Sequence, residues 1–389
     1  MANNTTNIPF WRDIRVLRVL FQILFLVGVI LLAGLLYTNM QRGLKNLNLE
    51  LSLDFLENEA GFLISEGIEY DPSDTYLKAF WVGVMNTLRV SLIGVVCATL
   101  LGLFFGIARL SSNWLVRKIA TVYVECFRNI PLLLQILFWY TAILRFPLVK
   151  DSFSLFNSVY INNRGIYIPA LQSGTGLSTW IVFLCVGLII ATILYIIRWR
   201  QLKQMDIPGF RAKWALPAFV VVAICGWFLT PGKPLATELP VLNVFNFSGG
   251  LRLTPEFTAV LIGLSAYTGA YIAEIVRSGI QAVSKGQREA ARAVGLNGAQ
   301  TLRLIILPQS VPIIIPPLTS QYLNLAKNSS LAVAMGFPDM FAVGNTILSQ
   351  TGQSIPVFAM VMLSYLTISL TTSAAMNWYN SWINRKGRS

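Results

Sequence analysis

The sequence contains no histidine, few charged residues and only four cysteines. Charged residues make up 12% of the 389 positions, whereas a soluble domain carries about a quarter. Without histidine, the chain lacks the commonest proton shuttle and metal ligand. The cysteines lie in apolar stretches without metal-ligand spacing, so we interpret them as small packing residues. They are Cys97, Cys126, Cys185 and Cys225. Since no metal or nucleophile–base constellation is visible, a membrane enzyme is disfavoured.

A complete phosphate-binding loop is also missing from the sequence. The nearest fragment, Gly232-Lys233, is followed by Pro234 at the position where Ser or Thr must hold magnesium. We therefore expect no cofactor on this chain, and we expect any ATP hydrolysis to come from a separate protein.

Long apolar runs are the main positive feature of the chain. Its residues are 55% hydrophobic, and its mean hydropathy is +0.62. A helix needs roughly 20 mostly apolar residues to cross a bilayer, and eight segments are candidates. They are Val19–Met40, Gly83–Ile107, Ile119–Leu144, Leu177–Ile197, Trp214–Thr230, Phe257–Ile280, Val311–Leu325 and Val357–Trp378. The sequence therefore predicts an all-α membrane protein with eight transmembrane helices.

The net charge of +13 is distributed unevenly between the two sides of the predicted membrane. With a cytoplasmic N-terminus, the inner side carries nineteen basic and three acidic residues, whereas the outer loops carry eight and twelve. This asymmetry follows the positive-inside rule. It places both termini in the cytoplasm, and it explains the basic excess without nucleic acid.

A polar, basic segment at 286–308 lies between two apolar runs and reads GQREAARAVGLNGAQTLRLIILP. Residue propensities predict a helix over 288–294, a turn at Gly295 and a second helix over 299–307 that Pro308 ends. The segment resembles the EAA loop of the membrane subunits of ABC importers. In that family the loop is a cytoplasmic helix pair that inserts into a separate ATPase subunit. The resemblance assigns ATPase coupling to Gly286, Glu289, Ala290, Ala291, Gly295, Ile305, Leu307 and Pro308.

Further motifs extend the resemblance to the permeases of polar amino-acid importers. They begin at Gly83, Tyr123, Ala270 and Pro316. The resemblance implies a type I importer core of five helices, to which this chain adds an N-terminal span and a two-span insertion. The expected divisions are an N-terminal span with an acidic outer loop (1–82), two core parts (83–145 and 255–389) and the insertion (146–254).

The length and the additional spans resemble those of the general L-amino-acid permeases. That resemblance implies import of polar or general L-amino acids across the bacterial inner membrane. The implied partners are an ATPase dimer that binds ATP and magnesium, a second homologous permease that forms a heterodimer with this chain, and an extracytoplasmic binding protein.

Polar residues on the predicted core spans are candidates for the substrate pathway. They are Asn86, Thr87, Gln135, Thr268, Tyr271, Glu274, Ser320, Asn324 and Lys327. Such groups could orient the ammonium and carboxylate of a zwitterion, but they also form ordinary interhelical bonds in membranes. Glu125 with Arg128, and Glu274 with Arg277, have the spacing of helical salt bridges, so each pair could stiffen a helix or contact substrate. Both alternatives stay open at this stage.

A self-sufficient secondary transporter or channel for small polar solutes is the alternative function. Such a protein would need a coupling-ion site and usually internal repeats. Neither is visible in the sequence, and the segment 286–308 would then have no purpose.

Overall fold

The computed structural model describes residues 14–46, 52–205, 212–243 and 246–386. Some of the charged residues that were counted in the topology prediction lie outside these ranges, among them Arg12, Asp206 and Arg388. The helices are α1 (Ile14–Asn46), α2 (Tyr76–Ala108), α3 (Trp114–Asn129), α4 (Leu132–Leu144), α5 (Leu177–Met205), α6 (Ala215–Leu229), α7 (Pro255–Gln281), α8 (Lys285–Ala293), α9 (Gly298–Thr301), α10 (Leu307–Asn328), α11 (Met340–Thr351) and α12 (Ser354–Lys386). A π-turn, Leu302–Ile306, joins α9 to α10, and 3₁₀ turns span Asp54–Glu57, Val149–Asp151 and Ser329–Met335.

Short strands occupy the segments on either side of α5 and α6. They are β1 (Phe153–Leu155), β2 (Val159–Asn162), β3 (Gly165–Ile168), β4 (Ala170–Ser173), β5 (Leu235–Glu238), β6 (Val241–Leu242), β7 (Phe247–Ser248) and β8 (Leu251–Leu253). They form an antiparallel sheet in the order β1-β2-β3-β8 and two ribbons, β4-β5 and β6-β7. The sequence prediction contained no strands.

Each predicted span coincides with helical structure, which confirms the helical membrane class. Among the described residues, six helices are long and apolar enough to cross a membrane, or seven if the bent pair α3–α4 counts as one span. The predicted span at Trp214–Thr230 is the shorter apolar helix α6. The predicted span at Ile119–Leu144 is the bent pair α3–α4, whose two helices meet at an angle of 106°.

The chain divides into two compact units, of which the first combines the described residues up to Met85 with Met340–Ile368. Its extramembrane loop is ordered by backbone bonds, such as the 2.8 Å bond from Ala60 N to Asp74 O. The hydroxyl and N–H of Ser73 donate to the Asp71 carboxylate and lower its pKa. This part of the predicted acidic outer loop is therefore a folded segment.

The second unit, Asn86–Asp339 with the C-terminal part of α12, is built around α7. In α7, 67% of the apolar span is buried, against 33% in α2 and 11% in α5. Small residues allow this burial, as membrane helix packing requires. A Cβ added to Gly263 would lie 2.7 Å from Cγ1 of Ile136 on α4, and one added to Gly106 on α2 would lie 2.9 Å from Cβ of Val276. The helix that leads to α8 is thus the most enclosed element of the unit.

The bend between α3 and α4 is stabilised by the side chain of Gln135. Pro131 has no N–H, so it cannot donate to the carbonyl of Phe127 four residues earlier. The Gln135 amide nitrogen donates to that carbonyl and to the carbonyl of Ile130, each at 2.8 Å. Since Gln135 is only 4% exposed, the two carbonyls would otherwise be unpaired in apolar surroundings.

Replacing Gln135 should therefore destabilise the permease. Gln135→Leu keeps similar bulk but removes both donated bonds, and each unpaired buried carbonyl costs about 1–3 kcal/mol. Gln135→Glu should be worse at neutral pH, because a buried carboxylate can neither donate nor be solvated. Thermal unfolding in mild detergent measures the effect. Gln309→Leu is the control, since Gln309 is exposed on α10. Equal melting temperatures for Gln135→Leu and Gln309→Leu would contradict this assignment.

Candidate functional site

The predicted coupling segment folds as a helix pair directly after α7. Its first helix, α8, begins at Lys285, three residues earlier than predicted. The Arg288 guanidinium donates to the Ile280 carbonyl at 2.7 Å, so α8 is tied to the end of α7. Ala291 faces inward at 3% exposure, whereas Glu289 and Ala290 are exposed. The structure thus separates the three motif residues into one that packs inside the chain and two that are accessible.

The end of α8 is a Schellman motif centred on Gly295. The Leu296 N–H donates to the Ala291 carbonyl and the Gly295 N–H to the Arg292 carbonyl, both at 3.0 Å. This pattern satisfies the last carbonyls of the helix and requires a left-handed residue. Gly295 has a φ of +82°, and a Cβ added there would meet no atom within 4 Å. Glycine is therefore needed for its backbone conformation and not for space.

A capping box starts the second helix of the pair. The Asn297 side chain accepts from the Gln300 N–H, and the Gln300 side chain accepts from the Asn297 N–H, both at 2.9 Å. This reciprocal arrangement pairs donors that the first turn of a helix leaves free. The predicted stop and restart are therefore confirmed, with a short α9 after the turn.

The prediction that Pro308 ends the second helix was wrong. Residues Gly298–Met335 run as one helical stretch, and Pro308 lies in the first turn of α10. Pro308 cannot donate to the carbonyl four residues earlier. Just before it, the Leu307 N–H donates to Leu302 O, which is the wider π spacing. The helix accommodates the proline by widening one turn ahead of it. Pro312, Pro316 and Pro317 also lie inside α10.

Two apolar side chains on this helix pair are exposed although the sequence prediction did not single them out. Val294 is 75% exposed and Leu304 is 58% exposed. Arg292 and Arg303, each two or fewer residues away, are also exposed. An accessible apolar group framed by cations is suited to a protein partner. The sequence signal was present, since Val294 is an apolar position just before the helix-ending glycine.

Seven of the nine predicted pathway residues form a buried set and an exposed set, whereas Tyr271 and Glu274 are half-buried. Asn86, Thr87, Gln135 and Thr268 are all at most 4% exposed. Asn86 donates to the Pro338 carbonyl at 2.9 Å, and Gln135 stabilises the α3–α4 bend. Within the chain, these contacts favour the packing interpretation for Asn86 and Gln135.

The exposed set lies along one face of α10. Ser320, Asn324 and Lys327 are exposed and follow one another at spacings of four and three residues, which places them on the same side of a helix. Lipid contact would be costly for a lysine. This face therefore needs a polar environment or a partner.

Glu274 is the centre of an ion-pair cluster at the end of α7 near α8. It pairs with Arg109, which follows α2, and with Arg277 at 2.5 Å. Arg277 also donates to Gln281 at 2.6 Å. The predicted Glu274–Arg277 bridge thus has a third member that ties α7 to the end of α2, and Glu274 is engaged within the chain.

The expected Glu125–Arg128 bridge does not form, since the described residues show no ion pair for Glu125. Arg128 instead stacks over the ring of Tyr271, with 5.0 Å between the guanidinium carbon and the ring centroid. Tyr271 also accepts a hydrogen bond from Tyr267 at 3.3 Å. The guanidinium of Arg128 is thus engaged by an aromatic ring on α7.

No group of three or more Cys, Asp and Glu residues suited to a metal ion occurs in the described part of the chain.

Comparison with known proteins identifies the class. Residues 210–385 match the family of binding-protein-dependent transport system inner membrane components. The chain is 46% identical over 367 residues to the putative amino-acid ABC transporter permease YhdX of Escherichia coli K12, covering 93% of this chain and 92% of that protein. The chain belongs to this family of ABC importer membrane components, in agreement with the predicted type I permease fold.

Two further relatives cover nearly the same length. The general L-amino acid transport system permease AapQ of Rhizobium johnstonii is 43% identical, over 93% of this chain and 91% of the relative. BztB of Rhodobacter capsulatus is a glutamate/glutamine/aspartate/asparagine transport system permease. It is 39% identical, over 96% of this chain and 94% of the relative. The N-terminal span and the insertion are thus included in the similarity.

Changing Gly295 should uncouple transport without preventing membrane insertion. Gly295→Val forces a β-branched residue into the left-handed region, which costs about 1–2 kcal/mol or more. Gly295→Asn should keep most activity, because Asn tolerates this conformation. Uptake of labelled amino acids into cells measures the effect, and immunoblotting of membranes measures insertion. Gly298→Ala is the control, since Gly298 is the first residue of α9, lies outside the predicted coupling set and its added Cβ meets no atom within 4 Å. Normal uptake by Gly295→Val would contradict the assignment.

Proposed function

We propose that this chain is the membrane-spanning subunit of an ATP-driven importer for polar or general L-amino acids. The observation that carries the proposal is the similarity of 39–46% over more than nine-tenths of the chain to permeases of amino-acid ABC transporters. The substrate class comes from the names of these relatives. The fully formed helix pair α8–α9 supports the dependence on ATP.

The helix pair would receive force from an ATPase dimer, and ATP and magnesium would bind in that dimer. Ala290, Val294 and Leu304 would form the accessible part of the contact. Motion of α8 would pass to α7 through the Arg288–Ile280 bond, and from α7 to the helices packed around it. Coupling would thus act through Gly286, Glu289, Ala290, Ala291, Gly295, Ile305, Leu307 and Pro308, as the motif implies.

A second, homologous permease would face the exposed side of α10. In such a heterodimer, Ser320, Asn324 and Lys327 would line a polar passage between the subunits. Lys327 could then attract the carboxylate of an amino acid during alternating access. The solute would be delivered by an extracytoplasmic binding protein at the end of the bundle away from α8.

The complex would lie in the bacterial inner membrane with both termini in the cytoplasm. The excess of basic residues on the side of α8 supports this orientation. The alternative of a self-sufficient secondary transporter would leave the α8–α9 pair without a role.

Purification of the tagged chain from its native host in mild detergent tests the assembly. We expect mass spectrometry to find an ATPase with Walker motifs and a second permease with its own EAA segment. Recovery of the same ATPase with this chain as the sole permease would contradict the heterodimer but would still support the importer. A monodisperse transport-competent particle without an ATPase would overturn the proposed function in favour of the secondary transporter.

A further inference from the structure

One face of the four-stranded sheet is entirely apolar. Phe153, Ile161, Ile166 and Leu253 are in register across all four strands. Residues paired in this way share a face of the sheet. The row beside it has the same character: Leu155 pairs with Val159, and Ile168 pairs with Leu251. Two complete rows of large aliphatic or aromatic side chains therefore project from the same side.

The opposite face is the one that packs within the chain. Its central row contains Ser154, Tyr160, Tyr167 and Arg252. The ring of Phe247 covers it, with centroids 4.4 Å from Tyr160 and 5.0 Å from Tyr167. Tyr167 is 1% exposed as a result. The small core of this region thus lies on the tyrosine side, and the apolar side is left for something else.

Three of the eight apolar side chains are exposed and the other five are half-buried by the chain. Phe153 is 56% exposed, Leu155 49% and Leu251 41%. A sheet face of this kind would be an aggregation hazard in water. It must meet an apolar surface in the native membrane.

The position of the sheet indicates which surface that is. Leu253 is separated from the start of α7 by Thr254 alone, and it packs against the hydrophobic core of the helical unit. At the other edge, Phe146, two residues after α4, contacts the ring of Phe153 at 6.5 Å between centroids. The apolar face is therefore continuous at both edges with the ends of membrane helices.

We propose that this face of the sheet lies on the lipid bilayer and inserts its apolar rows into the leaflet opposite α8–α9. The sheet acts as an interfacial anchor, comparable in physical principle to an amphipathic helix. Rows of Phe, Leu, Ile and Val replace the apolar helix face, and the tyrosine side, covered by Phe247, lies away from the bilayer. The anchor fixes the base of the inserted hairpin α5–α6, because β3 precedes that hairpin and its partner β8 follows it.

Site-specific photocrosslinking in the assembled importer, reconstituted in nanodiscs of phosphatidylethanolamine and phosphatidylglycerol, tests the proposal. p-Benzoylphenylalanine is placed at Leu155 and, as matched control, at the neighbouring exposed Ser154, whose side chain lies on the other face. Leu188, 62% exposed on α5, is the positive control for lipid contact. We expect a phospholipid adduct by mass spectrometry at positions 155 and 188, with a several-fold lower yield at 154.

Two other outcomes would each contradict the proposed membrane anchor. A protein adduct at position 155 in place of lipid would show that the binding protein or the second permease covers the face. Lipid adduct at 188 but equally low yields at 155 and 154 would show that the face is exposed to water. A variant at Val159, which pairs with Leu155 on the same face, repeats the test if the substitution at 155 prevents assembly.

Discussion

The need to pair every backbone carbonyl and amide in an apolar medium governs the architecture of this chain. Within a membrane, an unpaired group costs several kcal/mol, so each irregularity requires a replacement partner. At Pro131 the partner is the Gln135 side chain. Ahead of Pro308 the helix widens to a π-turn, in which the Leu307 N–H donates to the Leu302 carbonyl. The bend between α3 and α4 therefore occurs where a specific side chain satisfies the backbone.

The same constraint makes α7 suited to the proposed coupling. Enclosed by α4, α10 and α3, it makes close contacts through glycines, as at Gly263 and Gly279. Close packing leaves no space for a gradual response, so a displacement at one end is carried along the helix. The Arg288 bond and the Glu274 ion pairs attach this end to α8 and to the end of α2. An element of this stiffness is what a motor in a separate subunit needs.

Hydropathy and local motifs predicted the structural features that depend on residues close together in the sequence. The spans follow from runs of apolar side chains, and the turn at Gly295 follows from residues that favour a helix stop. The 106° bend was missed because hydropathy carries no information on the direction of a helix axis. Pro131 was nevertheless a signal in the sequence for an interruption of the helix. The Glu274–Arg109 pair was missed because it joins positions 165 residues apart. The four-stranded sheet was missed because its strands have only three or four residues and β3 pairs with β8 across the inserted hairpin.

In the proposed mechanism, α8 and α9 transmit force from a separate ATPase to α7. A cryo-electron microscopy structure of the purified complex would show this contact. We expect Ala290, Val294 and Leu304 to be buried in a groove of the ATPase while Arg288 still contacts Ile280. An ATPase bound elsewhere on the permease, with Val294 and Leu304 exposed to solvent, would contradict it.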